Sequence, residues 1–308
     1  MSAAQGEFAL IEWIRRQAAA HPRVTLGIGD DTAVLRFPQA ADCLVTVDML
    51  MEGVHFTLPP ATPEQVGRKA LGVNLSDIAA MAGNPLAAVV SVALPRRGGW
   101  DLARRLYTGM QELADVFGVA IAGGDTNTWA GPLVISVTLL GEATPPGAIL
   151  RSGAKPGDWI LATGSFGGSL AGKHLDFTPR VREALALQRQ VRLHSMIDVS
   201  DGLSADLHHI LEESQVGAIL DERAIPISPA AENARDGRAP LEHALGDGED
   251  FELLFSLAAP AAEQLLRQPP FTTPLTRIGE IIEGTGCQLR GPNGDLIPLP
   301  PTGWQHPF

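Results

Sequence analysis

A chain of 308 residues, 45% hydrophobic and 19% charged, has the composition of a globular protein of roughly two domains. Lys and Arg number 23 against 35 Asp and Glu, a formal net charge of −12, which excludes broad nucleic-acid binding and leaves any anionic substrate to be met by metal ions or a few placed cations. Cys43 and Cys287 make neither a disulfide framework nor a zinc site. The longest apolar run, residues 133–140, is far short of the ~20 residues of a membrane span, and residues 1–16 lack a signal peptide's basic-then-apolar order, so the expected setting is the cytoplasm, with no membrane partner.

Residues 7–20 carry Phe8, Leu10, Ile11 and Ile14 at helical spacing. Residues 24–28 read as a strand entering the loop Gly29-Asp30-Asp31, and residues 44–47 as a strand ending at Asp48. Thr62-Pro63-Glu64-Gln65 has an N-cap, a proline at the first helical position and a capping-box Gln, opening a helix that runs through Met81 and stops at Gly83-Asn84-Pro85. A strand follows at 89–94, a helix at 102–117, a strand at 119–122 ending in Gly123-Gly124-Asp125, and a strand at 133–140. Alternating strands and helices make this half α/β or α+β.

The Gly/Pro-rich stretch 141–156 is the expected domain boundary, giving domains 1–141 and 142–308. The second half restarts with a strand at 159–162 and the loop Gly164-Ser165-Phe166-Gly167-Gly168. Thr178-Pro179 reads as a helix cap, and residues 196–199 as a strand ending in Ser200-Asp201-Gly202. The next helix puts Leu203, Leu207, Ile210 and Leu211 on one face. A strand at 251–257 and a helix at 260–266 complete the pattern.

Asp30, Asp31, Asp48, Asp125, Asp198 and Asp201 lie within or just beyond short strand-like runs, where α/β proteins build sites. Asp77 follows Asn74 by three residues on one helix face. Any single Asp here is explained by turn preference. Taken together, carboxylates gathered at strand ends repel unless cations neutralise them, and hard oxygen ligands select Mg²⁺ or Ca²⁺; such ions suit a polyphosphate such as ATP. Gly167, Gly172 and Lys173 match a P-loop, but His174 stands where a Ser or Thr hydroxyl would hold Mg²⁺, so the match reads as chance. His208-His209 reads as a solvated helix flank.

In order along nearly the whole chain, the segments Gly6-Glu7-Phe8, Gly27-Ile28-Gly29-Asp30-Asp31, Val47-Asp48-Met49-Leu50-Met51-Glu52-Gly53-Val54-His55-Phe56, Asn74-Leu75-Ser76-Asp77-Ile78-Ala79-Ala80-Met81, Gly123-Gly124-Asp125-Thr126, Arg151-Ser152-Gly153-Ala154-Lys155-Pro156-Gly157-Asp158, Asp198-Val199-Ser200-Asp201-Gly202-Leu203 and Gly248-Glu249-Asp250-Phe251-Glu252-Leu253 resemble the thiamine-monophosphate kinase family. The resemblance implies a two-domain α/β fold of the aminoimidazole-ribonucleotide-synthetase-like superfamily, with an N-terminal ATP- and Mg²⁺-binding domain whose sheet pairs with its twin in a homodimer. It implies direct transfer of the γ-phosphoryl of ATP to thiamine monophosphate, with several Mg²⁺ ions and no phosphoenzyme. Carried over by motif, Asp31, Asp48, Asp77, Asp125, Asp198 and Asp201 are metal ligands, with Thr46 and Val47 beside them in the metal loop; Asp125 and Asp201 are the catalytic pair. Gly124, Asp125, Arg151 and Ser200 contact ATP, with Tyr107 at its base or ribose, and His55, Glu249 and Trp304 meet thiamine monophosphate.

Three departures stand out against the family pattern. Val47 replaces a Thr before Asp48 and leaves only a backbone carbonyl for a metal. Asp247 replaces the first Gly of Gly-Gly-Glu-Asp, and the stretch from Gly172 to Thr178 is short. Two other readings compete: another ATP-dependent enzyme of the same superfamily, and a non-catalytic thiamine-phosphate or nucleotide sensor.

Overall fold

In the computed structural model, residues 7–18, 20–26, 34–37 and 42–304 are described, and they form two compact units. The first comprises Met1–Ile78 and Asn84–Thr144, the second Ala79–Gly83 and Pro145–Phe308.

The first unit holds α1 (Glu7–Gln17), the short strands β1 (Val24–Leu26) and β2 (Val34–Leu35), β3 (Cys43–Met51), α2 (Pro63–Ala80), β4 (Gly83–Pro95), α3 (Gly99–Phe117), β5 (Ala120–Trp129) and β6 (Val134–Ala143). Its four-stranded sheet has the order β3-β6-β4-β5, with β3 and β6 antiparallel and β4 and β5 parallel. The expected capping box opens α2: the Thr62 amide donates to Gln65 Oε1 at 3.0 Å and the Gln65 amide to Thr62 Oγ1 at 3.2 Å. From Val66 onward α2 is buried on nearly every side, which is why its sequence lacks a clean polar face. Arg105 of α3 clamps Glu64 of α2 with two hydrogen bonds of 2.6 and 2.8 Å.

The second unit holds β7 (Asp158–Thr163), α4 (Lys173–Asp176), α5 (Val181–Gln190), β8 (Ser195–Asp198), α6 (Leu203–Ser214), β9 (Gly217–Asp221), α7 (Pro229–Glu232), α8 (Pro240–Gly246), β10 (Leu253–Ala258), α9 (Ala259–Arg267), β11 (Leu275–Ile282), β12 (Gly286–Arg290) and β13 (Leu296–Leu299). Its sheet has the order β13-β12-β9-β11-β7-β10-β8. Only β12 with β9 is parallel among the registered pairs. The core is built by Leu203, Leu207, Ile210 and Leu211, the predicted face of α6, against Ile160, Ile197, Leu220 and Leu254 of the sheet.

Several expectations need correction. β3 runs on to Met51, so Asp48 lies within the strand. β5 runs to Trp129, so Gly123-Gly124-Asp125 is strand rather than loop: pairing with β4 continues from Val89↔Gly123 to Pro95↔Trp129 after a bulge. Gly83-Asn84-Pro85 opens β4 instead of a loop, and the α2 chain turns at Ala82, whose φ is 51°. Thr178 does not cap α5; Arg180 is its N-cap residue, with no side-chain cap bond.

Candidate active site

In the first unit, the proposed metal ligands among the described residues come from β3, α2 and β5. Along β3 the burial alternates, so Leu44, Thr46, Asp48 and Leu50 share the covered face while Val45, Val47 and Met49 are exposed. The Thr46 hydroxyl donates to Asp77 Oδ2 on α2, bringing together two predicted ligands 31 residues apart. Val47 is 61% exposed on the opposite face, so its side chain takes no part in that cluster. Asp125 is exposed on β5, opposite Ser91 of β4.

Gly124 fits because it has no side chain: a Cβ there would lie 1.9 Å from the Val90 carbonyl oxygen. Gly124→Ala is therefore expected to force β4 and β5 apart and to cost about 1–3 kcal/mol, read as a lowered midpoint of thermal unfolding. A variant as stable as wild type contradicts this packing.

His55 sits in a turn where its Nδ1 accepts from the Met51 amide at 3.0 Å, so its proton is on Nε2. Lys69, wholly buried on α2, donates from Nζ to the His55 carbonyl at 2.7 Å. This lysine is not apparent from the sequence, where it reads as one charge on a helix. Tyr107 is buried, with its hydroxyl donating to Gln111 Oε1 at 2.9 Å and its ring edge-on to Trp13 at 5.5 Å. Burial, with Asp115 nearby, pushes its phenol up to about 12. Asp30 and Asp31 lie outside the described residues.

In the second unit the centre is the Ser200-Asp201-Gly202 turn between β8 and α6. Asp198, at the end of β8, is 5% exposed. The amides of Ser200, Asp201 and Gly202 all donate to Asp206 Oδ2, each at 3.0 Å. Asp206 also escaped the sequence reading; an acidic residue in the first turn of α6 was its only local signal. Burial, and then the neighbouring Asp198, push Asp206 up to about 8. Oxygens of Asp201 and Asp206 and a ring nitrogen of His209 lie within 4.8 Å of one another. The histidine pair is thus no solvated flank: His208 is 9% exposed with Nδ1 2.8 Å from the Ser204 carbonyl, and His209 faces the acidic turn.

Two of the three predicted substrate residues, Glu249 and Trp304, meet this same turn; His55 belongs to the first unit. The Glu249 amide donates to the Ser200 carbonyl at 2.7 Å, and the Trp304 amide to the Asp201 carbonyl at 2.9 Å. Gly248, at φ 73°, would place a Cβ 2.8 Å from both the Ser200 and Asp201 carbonyl oxygens, so the close approach requires glycine. Glu249 and Phe251 also hold positive φ, 55° and 52°. Such backbone persists only when its surroundings over-determine it. Here Phe251 stacks on Phe177 at 4.1 Å, and Glu249 Oε2 lies 2.9 Å from His174 Nδ1. Asp247 does not stand loose: it accepts the Gly168 amide at 2.8 Å and pairs with Arg238 at 2.8 Å. Arg151 is exposed just before β7, its carbonyl accepting from Ser214 Oγ.

Beneath the loop lies a buried ionic cluster. Glu252 accepts from Thr163 Oγ1 at 2.8 Å, from Lys173 Nζ at 3.0 Å and from Arg180 Nε and Nη2 at 2.7 and 2.8 Å. Burial pushes this carboxyl up, but Arg180 and Lys173 outweigh it and hold Glu252 below its ordinary value. Asp250 accepts the Gly167 amide at 2.9 Å and lies 3.7 Å from Lys173 Nζ; burial pushes it up to about 7. Lys173, the apparent P-loop lysine, thus spends its charge on Asp250 and Glu252. Lys173→Ala is expected to cost about 1–3 kcal/mol in a urea titration, less than a fully broken buried pair because Arg180 remains on Glu252. An unchanged midpoint contradicts this role.

The AIR synthase related protein family models match this chain, the N-terminal domain over residues 29–143 and the C-terminal domain over residues 155–291. The chain is thus an AIR synthase related protein, of two family domains. It is 40% identical to a thiamine-monophosphate kinase of Rhodopirellula baltica over 97% of both chains. It resembles the crystal structure of thiamine-monophosphate kinase from Stenotrophomonas maltophilia K279a with a TM-score of 0.80 and 35% identity, covering 95% of this chain and 98% of that one. It also resembles AaThiL complexed with AMPPCP and TMP, with a TM-score of 0.77 and 30% identity, covering 99% and 98% of the two chains. The chain belongs to the thiamine-monophosphate kinase family.

Proposed function

We propose that this chain catalyses ATP-dependent phosphorylation of thiamine monophosphate to thiamine diphosphate by direct phosphoryl transfer. The observation that carries the reading is the Ser200-Asp201-Gly202 turn. It joins a carboxylate suited to a metal-bound phosphate to the Glu249 and Trp304 segments through backbone hydrogen bonds of 2.7 and 2.9 Å. Among relatives, AaThiL complexed with AMPPCP and TMP supports the same pair of ligands.

The donor sets suit Mg²⁺. Thr46 with Asp77 offers hard oxygens in one cluster, and the Asp201 carboxylate, beside Asp206 and the His209 ring, offers them in another; no thiolate takes part among the described residues. Asp48, Asp77 and Asp125 in the first unit, with Thr46 and the Val47 carbonyl beside them, and Asp198 and Asp201 in the second, would hold the ions; Asp31 belongs to the same proposed set. Bound Mg²⁺ would neutralise the two phosphates that must approach each other.

The chain's own groups do the rest. Gly124, Arg151 and Ser200 hold ATP, and Tyr107 borders its base or ribose. The Trp304 ring, 51% exposed, offers a π face to the cationic thiazolium, and Glu249 an opposite charge. His55 completes the substrate set. The acceptor phosphate is already ionised, so no strong general base is required, and positioning carries the reaction. Residues 1–141 would form the ATP- and Mg²⁺-binding domain and 142–308 the second, in a cytoplasmic enzyme.

A homodimer is part of this reading. Edge strand β3 exposes Val45, Val47, Met49 and Met51 in a row, an apolar stripe suited to covering by a second copy. β4 and β6 lie inside the sheet. Light scattering at micromolar concentration is expected to return twice the chain mass, and Val47→Glu to return one; a monomeric wild type contradicts the dimer.

The function is tested by ADP release over a panel of phosphate-bearing acceptors. Release with thiamine monophosphate, abolished by a Mg²⁺ chelator, is expected. Release with another acceptor alone identifies a different enzyme of the superfamily, and tight binding without release identifies a sensor.

A further inference from the structure

A single side chain accepts all three amides of the Ser200-Asp201-Gly202 turn. Its three amides converge on one oxygen, Asp206 Oδ2. Its carbonyls face the other way, Ser200 accepting from Glu249 and Asp201 from Trp304. Asp206 is 2% exposed, so water does not readily replace it as acceptor, and truncation strands the Gly202 amide in a buried place and those of Ser200 and Asp201 in a half-buried one. It is anchored one turn into α6, whose neighbours Leu203 and Leu207 are core residues, so the acceptor is held by a rigid element.

We propose that Asp206 is a positioning residue for the transfer: by gathering the three amides it aims the Asp201 carboxylate at the metal and presents the two carbonyls on which the Glu249 and Trp304 segments dock. Nucleotide binding and thiamine-phosphate binding then both pass through one carboxylate that touches neither substrate. This rests on the kinase reading above for the identity of the ligands, but not for the geometry of the turn.

The test uses the full chain as Asp206→Ala, Asp206→Asn and Leu265→Ala. Leu265 is a fully buried core residue of α9 and supplies general destabilisation without touching the turn. Two readouts are taken: amide hydrogen exchange of residues 199–203, and calorimetric binding of a non-hydrolysable ATP analogue with Mg²⁺. Asp206→Ala is expected to speed exchange and to weaken binding, each at least about tenfold, a factor that corresponds to one decade in Kd. Asp206→Asn, which keeps one acceptor oxygen and the side-chain volume, recovers part of both. Leu265→Ala, on a helix that packs on β10 and β7, leaves binding within about twofold.

Binding by Asp206→Ala within twofold of wild type, or an equal loss in Leu265→Ala, overturns the proposal. If Asp206→Ala does not fold, Asp206→Asn carries the same comparison, and unchanged exchange and binding in that variant overturn it. A wild type that binds Mg²⁺ and nucleotide but does not phosphorylate thiamine monophosphate, with the Asp206 losses still present, supports the positioning role and sinks the kinase reading.

Discussion

Asp201→Ala is expected to lower the initial rate with thiamine monophosphate at least about a thousandfold at saturating ATP and Mg²⁺, because charge stabilisation of a transferring phosphoryl group carries most of such a reaction. Asp125→Asn and Asp48→Asn are expected to abolish turnover while the fold persists, since each removes one charge from a proposed cation site. Lys173→Ala, assayed below its melting range, should stay within about tenfold of wild type, or about 1.4 kcal/mol of barrier. A P-loop enzyme would show the reverse order, and its appearance here would end the family-based assignment of this site.

The second large effect is on stability. Glu252→Ala leaves Arg180 and Lys173 without the buried carboxylate that accepts three of their hydrogen bonds. Breaking a buried pair by removing one partner costs about 3–5 kcal/mol. In a chain of this size that lowers the melting midpoint by roughly 5–8 °C. The loss should be strongly non-additive: adding Lys173→Ala to Glu252→Ala should cost little further, because the lysine has already lost its main partner. The Glu249 loop, with two residues at positive φ, is the expected casualty in function, seen as a raised KM for thiamine monophosphate with ATP binding retained. Additive losses, or an unchanged midpoint, contradict the cluster.

The legible parts of the fold were those with local signals. The Thr62 and Gln65 capping box, the apolar face of α6 and the strand at β7 lie where the sequence puts them, because each is specified within a few residues. Errors arose where tertiary pairing overrides local chemistry. Gly123-Gly124-Asp125 has turn composition, yet β4 pairs with it and with four further residues, and glycine is what lets Gly124 lie against Val90. Strands β9, β11, β12 and β13 carry glycines, charges or a proline among their apolar residues and have weak patterns of their own; the seven-stranded sheet gives them their pairing.

The site shows the same division. The aspartates could be found because they sit in compact motifs. Their supports could not: Lys69 reaches the His55 carbonyl across 14 positions, and Lys173 reaches Glu252 across 79. Those contacts follow from packing between elements, which one sequence does not display. The apparent P-loop shows the opposite hazard, since spacing alone would place near phosphate a lysine that the fold assigns to two buried carboxylates, a placement the missing hydroxyl at His174 argues against.

The central claim is tested most directly by following the γ-phosphoryl group itself. Purified protein, ATP and thiamine monophosphate are mixed with Mg²⁺, and products are read by phosphorus NMR and mass. The account predicts thiamine diphosphate and ADP in equal amounts, with the γ-phosphorus of ATP appearing as the terminal phosphorus of thiamine diphosphate. Thiamine monophosphate left unchanged while ATP is hydrolysed, or while another phosphate ester is consumed, would contradict it.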